Sequence, residues 1–342
     1  MVAGKAFHDF GRCIMVAKYS QAFIAAVFLL FSGCTDLTEF DHSISAGVNV
    51  FSTPDLSVIH TIDDIPYARS VCWFPGSFIL VTTEGMALRY DLETFEHTGS
   101  FTIGSPSSSG YFEIEYSPKE NSVYIIGAFG QIYEYSVPQM NFIDSFSPCE
   151  TPVDIEIGVQ VEMPFFYVAG ATSNKIYELR LTSNLVTRSC VLYSSPTCMA
   201  IRQAQDTILI GTLDETEIVS IASSAMMHRR MDTFPQILAI ETVPGDTTFC
   251  AAFKCSTTLR LIGSVLRFFP GGLGGGGSPL WTGDPVDGEL FSICVDYEGS
   301  HAYVLSYLGN NTSSLISYNC SNYLIESQIE LQGYPLDIDI SN

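Results

Sequence analysis

Pro335-Leu336-Asp337-Ile338-Asp339-Ile340, close to the end of the chain, restates an earlier phrase, Pro152-Val153-Asp154-Ile155-Glu156-Ile157. Only two residues follow the second copy, so the last repeat holds its first strand alone. A repeat that is incomplete at one end of a chain can be completed by segments from the other end, which closes the repeats into a ring. We therefore expect one circular all-β domain.

The same pattern, a small or proline residue before two apolar positions two residues apart, occurs in seven segments. Their first apolar residues are Val71, Ile114, Ile155, Met199, Leu238, Ile293 and Ile338. Successive spacings lie between 39 and 55 residues, the length of a four-stranded unit. Each segment but the last is followed by a second apolar run rich in aromatic and β-branched residues, which predicts strands and not helices.

Two stretches, Phe166-Tyr167-Val168-Ala169-Gly170 and the run from Met86 to Thr94, resemble the YVTN-type repeat of WD40-like propellers. The resemblance covers residues 45–342 and implies a seven-bladed β-propeller, closed by N-terminal strands that pair with the C-terminal strand. A six-bladed ring is the alternative. The three missing strands of the seventh blade are expected at 41–46, 48–52 and 56–62, and the glycine-rich stretch 270–278 is expected as a surface insertion between the outer strands of blade five.

Residues 22–31 form an uninterrupted apolar run after Lys18. As a helix it would be about 15 Å long, half of a bilayer core of about 30 Å, which indicates a cleavable signal segment. The following Leu30-Phe31-Ser32-Gly33-Cys34 resembles the bacterial lipobox, whose cysteine is lipidated and becomes the mature N-terminus. We expect a signal peptide at 1–33, with Met15 as an alternative start, and a lipidated tether at 34–44. A plain secreted protein and a short buried helix are the alternatives.

The lipobox resemblance places the protein in the bacterial cell envelope, with a lipid on Cys34 as its membrane anchor and the outer membrane as its expected site. The chain carries 15 Lys and Arg against 37 Asp and Glu, a formal charge of −22. Such a surface repels nucleic acid and anionic headgroups, so we do not expect the protein to bind nucleic acid. We expect a monomeric ring.

Acidic residues occupy inner-strand positions in three blades. These residues are Glu113, Glu115, Asp154, Glu156, Asp337 and Asp339. Alternate residues of a strand share a face, so the members of each pair point the same way. They could form a cation or ligand site at a central channel, for which Ca²⁺ is the best-suited ion, or they could accept backbone hydrogen bonds around a water-filled channel. No firm metal site and no cofactor is predicted.

Catalytic motifs are scarce. No Gly-x-Ser-x-Gly sequence occurs, and no two histidines stand at ligand spacing. A non-catalytic scaffold for an envelope protein or polysaccharide is therefore favoured. The alternative is a calcium-dependent lactonase or hydrolase at the channel, because propeller enzymes of that kind bind calcium through acidic and amide side chains of several blades.

Eight cysteines follow Cys34. We expect most to be unpaired, because Cys72 and Cys294 fall on strands of blades that are not neighbours. Cys250 and Cys255 are interpreted as bracketing one hairpin and remain a candidate pair.

Overall fold

The computed structural model describes most of the chain from residue 26 onward. The described ranges are 26–32, 45–53, 55–66, 68–82, 85–104, 113–127, 130–158, 165–202, 207–212, 216–220, 226–232, 237–242, 249–255, 263–269, 281–282, 289–296, 298–322 and 324–341. Cys34 and the insertion at 270–278 lie outside these ranges.

The described residues form seven antiparallel sheets of four strands each. Sheet one contains β4 (Ala68–Phe74), β5 (Ser77–Thr82), β6 (Met86–Asp91) and β7 (His97–Thr102). Sheet two contains β8 (Ile114–Ser117), β9 (Ser122–Ile126), β10 (Ile132–Ser136) and β11 (Phe142–Phe146). Sheet three contains β12 (Pro152–Gly158), β13 (Phe165–Gly170), β14 (Lys175–Arg180) and β15 (Leu185–Val191).

The next three sheets repeat this order along the chain. Sheet four contains β16 (Pro196–Arg202), β17 (Thr207–Thr212), β18 (Thr216–Ser220) and β19 (Met227–Asp232). Sheet five contains β20 (Ile237–Thr242), β21 (Phe249–Cys255), β22 (Gly263–Phe269) and β23 (Trp281–Thr282). Sheet six contains β24 (Glu289–Val295), β25 (His301–Gly309), β26 (Thr312–Asn319) and β27 (Ile325–Gln332).

Sheet seven combines strands from both ends of the chain. Its members are β28 (Tyr334–Ser341), β1 (Ala26–Ser32), β2 (Ser45–Phe51) and β3 (Val58–Pro66), in that spatial order. The first strand of every sheet contains one of the seven apolar residues that define the repeat. These first strands also contact one another in sequence, and β28 contacts both β24 and β4. The fold is therefore all-β and propeller-like.

The core lies between neighbouring sheets. Alternate residues of β5 point to opposite sides: Phe78 and Leu80 pack with Val48 of sheet seven, whereas Ile79 and Val81 pack with Ile114 of sheet two. Because both faces of such a strand are buried, its sequence is a continuous apolar run without a polar face. This explains the near-complete burial of β5, β9, β13 and β17.

The predicted division of the seventh blade was wrong in part. The stretches expected as separate strands at 41–46 and 48–52 meet within one strand, β2, which begins at Ser45; residues 41–44 lie outside the described part. The place beside β28 is taken by β1, the apolar run that we interpreted as a signal segment. Its backbone pairs Val27 with Ile340 and Leu29 with Ile338. Removal of residues 1–33 stays a prediction.

The insertion at 270–278 falls between β22 and β23, the outer strands of sheet five, as predicted. Cys250 and Cys255 do not bracket a hairpin, because both belong to β21. The two cysteines stand five positions apart on this strand, a distance of about 17 Å, which exceeds the roughly 7 Å Cα limit of a disulfide. Within the described ranges, the free thiols include Cys72, Cys149, Cys198 and Cys294. No helix among the described residues is long and apolar enough to cross a membrane.

Candidate functional site

The predicted acids come together on the inner strands. Asp154 and Glu156 lie on β12, Asp337 and Asp339 on β28, Glu115 on β8, and Glu113 directly before it. All are half-buried. Glu113 is close enough to Asp337 and Asp154 to repel them, and Glu115 likewise repels Asp339 and Asp154. We call these six residues, together with Glu241, the inner acids.

Glu241 on β20 was missed by sequence reasoning. It interacts with Glu115 and Glu156, so it belongs to the same cluster. Leu238 lies at the register shift of β20, so Ile240 takes the position that Ile155 has in β12, and Glu241 takes that of Glu156. The alignment of this repeat on Leu238 hid the equivalence.

The three inner aspartates join neighbouring sheets. Asp154 of sheet three accepts a hydrogen bond from the Met199 amide of sheet four, at 2.5 Å. Between sheets seven and one, Asp337 accepts a hydrogen bond from the Val71 amide at 3.1 Å, and Asp339 accepts one from the Trp73 amide at 2.8 Å. The same side-chain-to-backbone contact therefore joins sheets three and four and sheets seven and one.

Each aspartate uses its second oxygen on its own strand. The amides of Ile155, Ile338 and Ile340 donate to the preceding aspartate at 2.7, 2.8 and 2.7 Å. Asp337 also accepts from the Ser70 hydroxyl at 3.0 Å and from Ser292 at 3.4 Å. The three aspartates therefore accept backbone hydrogen bonds, whereas a cation or ligand site formed by the six predicted acids stays a prediction.

The inner glutamates of β8 and β12 differ from the aspartates. Within the described ranges, the carboxyl groups of Glu113, Glu115 and Glu156 make no hydrogen bond, although other acids surround them. Burial and like charge therefore act on these carboxyl groups without compensation from a donor.

Protonation relieves this repulsion. Burial, followed by neighbouring carboxylates, raises the pKa of Glu113, Glu115 and Glu156 well above its usual value. Burial also raises the pKa of Asp154 to about 7 and that of Asp339 to about 7, although backbone hydrogen bonds oppose the shift. The pKa of Asp337 rises to about 6 and that of Glu241 to about 7 for the same reason. The cluster therefore carries only part of its formal charge at neutral pH.

Among the described residues, no group of three or more His, Cys, Asp or Glu side chains is arranged so that it could hold a metal ion. The three inner aspartates bind amides of neighbouring strands. The inner acids form an acidic cluster that holds protons at neutral pH.

Sheet six contains a histidine, a serine and two carboxylates whose arrangement is similar to that of a catalytic site. His301 Nδ1 is 3.1 Å from Asp296 Oδ2 and 2.9 Å from Ser300 Oγ. Its Nε2 is 2.9 Å from Glu326 Oε2, so both ring nitrogens are occupied. Hydrogen bonding to Asp296 raises the pKa of His301. The two carboxylates favour the protonated imidazole, which disfavours a role of His301 as a base toward Ser300.

Exposed apolar side chains recur where the outermost strands begin. In sheets two and three they are Phe142, Ile143, Leu185 and Val186, with 58%, 50%, 67% and 47% of their surface exposed. We call these four residues the rim patch. The Asn184 amide donates to Asp144 Oδ2 at 3.0 Å, which joins the two strands at this place. Sequence reasoning missed the patch, because short apolar pairs also occur in buried strands.

Comparisons with known proteins reach the fold only. No family model matches the sequence, and no curated protein matches it. Among solved structures, the chain is similar to a chain described as Kuenenia stuttgartiensis hydrazine synthase, with a TM-score of 0.61 and 14% identity over 75% of this chain and 78% of that chain. At this identity the likeness supports an all-β, propeller-like fold and carries no statement about activity.

Proposed function

We propose that this protein is a lipid-anchored, seven-bladed β-propeller of the bacterial cell envelope that acts as a non-catalytic scaffold for a protein or polymer partner. In this proposal the N-terminal strands share sheet seven with the C-terminal strand and close the ring. Because residues 1–33 include β1, closure after cleavage rests on the contacts of β2 and β28 with the neighbouring sheets. The order of sheet seven and the contacts of β28 with β24 and β4 support the closure. Seven four-stranded sheets support the count of blades.

The rim patch carries the proposal of a binding function. Four large apolar side chains, each about half exposed or more, lie on two neighbouring sheets that a hydrogen bond joins. Contiguous exposed apolar surface rimmed by polar groups marks interaction sites in soluble domains. Aromatic residues such as Phe142 are also enriched in the cores of protein interfaces. A protein partner is therefore favoured over a polysaccharide at this surface.

The binding function is tested by capture of partners from envelope extract. We expect the double variant Phe142→Ser with Leu185→Ser to lose at least about 90% of the partner captured by wild type, because the apolar anchors are gone. The matched control is Val191→Ser with Tyr193→Ser, which removes two side chains that are each 57% exposed near the other end of β15. Equal loss in both variants, or in neither, would contradict a specific role of the rim patch.

The anchor is tested on Cys34. Radiolabelled palmitate should appear in wild type and be absent from Cys34→Ala. Equal labelling of both proteins would refute the anchor, whatever the result of partner capture.

Calcium separates the scaffold from the hydrolase that the sequence left open. A structural or catalytic calcium ion would raise the melting temperature strongly relative to chelator, whereas a scaffold without a calcium site should shift by less than about 1 °C.

A further inference from the structure

The proposed processing and the structure use one segment in two ways. Strand β1 lies within the stretch that cleavage before Cys34 removes. In the structure it occupies the second position of sheet seven, between β28 and β2. It pairs Phe28 with Asp339 on one side and with Val50 on the other. A processed molecule would therefore lack one strand of this sheet.

We propose that the processed protein contains a strand-acceptor slot between β28 and β2, which binds an extended apolar strand of a partner polypeptide. The inference rests on the proposed lipoprotein processing. Neighbouring strands lie about 4.8 Å apart, so the walls of the slot stand about 10 Å apart, the room for one strand. Binding of this kind adds a strand to a sheet, with backbone hydrogen bonds supplying affinity and side chains supplying specificity.

The wall formed by β28 is held independently of β1. Asp337 and Asp339 bind the amides of Val71 and Trp73 in sheet one. On its other face, Ile338 belongs to the apolar cluster that includes Tyr303 of sheet six. Loss of β1 removes neither set of contacts, so β28 stays in place.

The wall formed by β2 is held in the same manner. Val48 and Val50 pack with Phe78 and Leu80 of sheet one. Phe51 belongs to the cluster that contains Tyr303 of sheet six. Both walls are therefore fixed to the two neighbouring sheets, and the slot persists as a gap in a rigid frame.

The backbone of the slot requires a partner on each side. The amides of Ile338 and Ile340 donate to their neighbouring aspartates, so they point away from the slot. By alternation, the backbone groups of Asp339 face it and lose their partner when Phe28 is removed. Unpaired strand edges beside apolar core are strong templates for another strand.

The chemistry of the slot selects an apolar strand with neutral or basic flanks. The segment that occupies it in the structure reads Ala-Val-Phe-Leu-Leu-Phe-Ser. The tether that would remain in the processed chain, residues 35–44, instead carries Asp36, Glu39 and Asp41. The acidic side chains of that tether would be repelled by Asp337 and Asp339 of the β28 wall. A strand supplied by another protein therefore fits the slot better.

The test uses the lipoprotein purified in detergent from envelopes of cells that express the full-length gene. Intact mass first establishes whether residues 1–33 are absent. The probe is a fluorescent peptide with the sequence of Ala26–Ser32 and a two-lysine tail, and its binding is followed by anisotropy. We expect saturable binding at micromolar concentration. A peptide N-methylated at Phe28 and Leu29, which loses one hydrogen bond toward each wall, should bind at least about tenfold more weakly.

The matched control is Cys34→Ala, which keeps the leader under the proposed processing and should not bind the peptide, because its own β1 fills the slot. Retention of residues 1–33 in wild type would overturn both the slot and the proposed anchor. Processing without peptide binding would overturn the slot alone. Peptide binding that N-methylation leaves unchanged would show non-specific apolar contact and would overturn the proposal. A dimer of the processed protein that the peptide fails to dissociate would assign the slot to a second copy, which would also overturn it.

Discussion

Sheets three and seven begin with the same phrase and are assembled differently. Sheet three takes its four strands from consecutive sequence, whereas sheet seven takes one from the end of the chain and three from the beginning. Despite this, Asp154 and Asp337 make equivalent contacts with the next sheet, and Ile155 and Ile338 are equally buried, at 2% and 5% exposure. The comparison teaches that the inner strand is positioned by its neighbours across the sheet boundary, so covalent continuity within the sheet is dispensable.

The largest effect is expected from the apolar residue of each inner strand. Ile155→Ala and Ile338→Ala should each lower the free energy of unfolding by about 2–4 kcal/mol, since each leaves a cavity between sheets. Urea unfolding measures both. A loss below about 1 kcal/mol for Ile338→Ala alone would break the comparison, because it would show that the last strand is an appendage.

The inner aspartates that join neighbouring sheets should have the next largest effect. Asp154→Ala and Asp337→Ala each leave a buried amide without its acceptor, which costs about 1–3 kcal/mol. The controls are Asp154→Asn and Asp337→Asn, which keep an acceptor oxygen and remove the charge, so they should be clearly less destabilising than alanine at pH 8. If asparagine and alanine variants unfold at the same urea concentration, the hydrogen bonds are not what joins the sheets.

The inner acids predict a dependence of stability on pH. Their folded-state pKa lies above the unfolded value near 4, so the folded protein holds more protons between about pH 4 and pH 7, and stability falls as pH rises through that window. We expect a melting temperature about 5 °C lower at pH 8 than at pH 5.5. Scanning calorimetry at the two pH values measures this difference.

Glu156→Gln should reduce that difference by raising the melting temperature at pH 8, because it removes an acid that has no hydrogen bond within the described ranges. The exposed Glu93→Gln should leave it unchanged. A stability that rises between pH 5.5 and pH 8 would contradict the protonation of the inner acids.

Much of this architecture could be predicted from the sequence, for a physical reason. A strand buried on both faces must be apolar throughout, and a repeat must place the same residue type at the same position, so Val71 through Ile338 identified all seven inner strands. The parity of acids along those strands likewise placed Asp154, Glu156, Asp337 and Asp339 on one shared side.

Other features depend on partners that the sequence does not reveal. The run that contains β1 satisfies the requirements of a signal segment and of a buried strand equally well, since both demand continuous apolar residues. The rim patch at Phe142 and Leu185 depends on which strands are outermost, and outermost strands are recognised only once the sheets are assembled. His301 contacts Asp296, which lies directly after β24, and Glu326, which lies on β27 more than twenty residues further along the chain.

Hydrogen exchange followed by mass spectrometry tests the proposed ring most directly. The measurement compares the amides of β28 with those of β12 in Cys34→Ala at one pH, because this variant keeps β1 under the proposed processing. If the two ends of the chain close the ring, exchange of Tyr334–Ser341 should be as slow as that of Pro152–Gly158, within about tenfold, because both strands open only with the surrounding sheets. Exchange of the last strand at the rate of an unprotected peptide, beside a protected β12, would contradict a ring that closes through sheet seven.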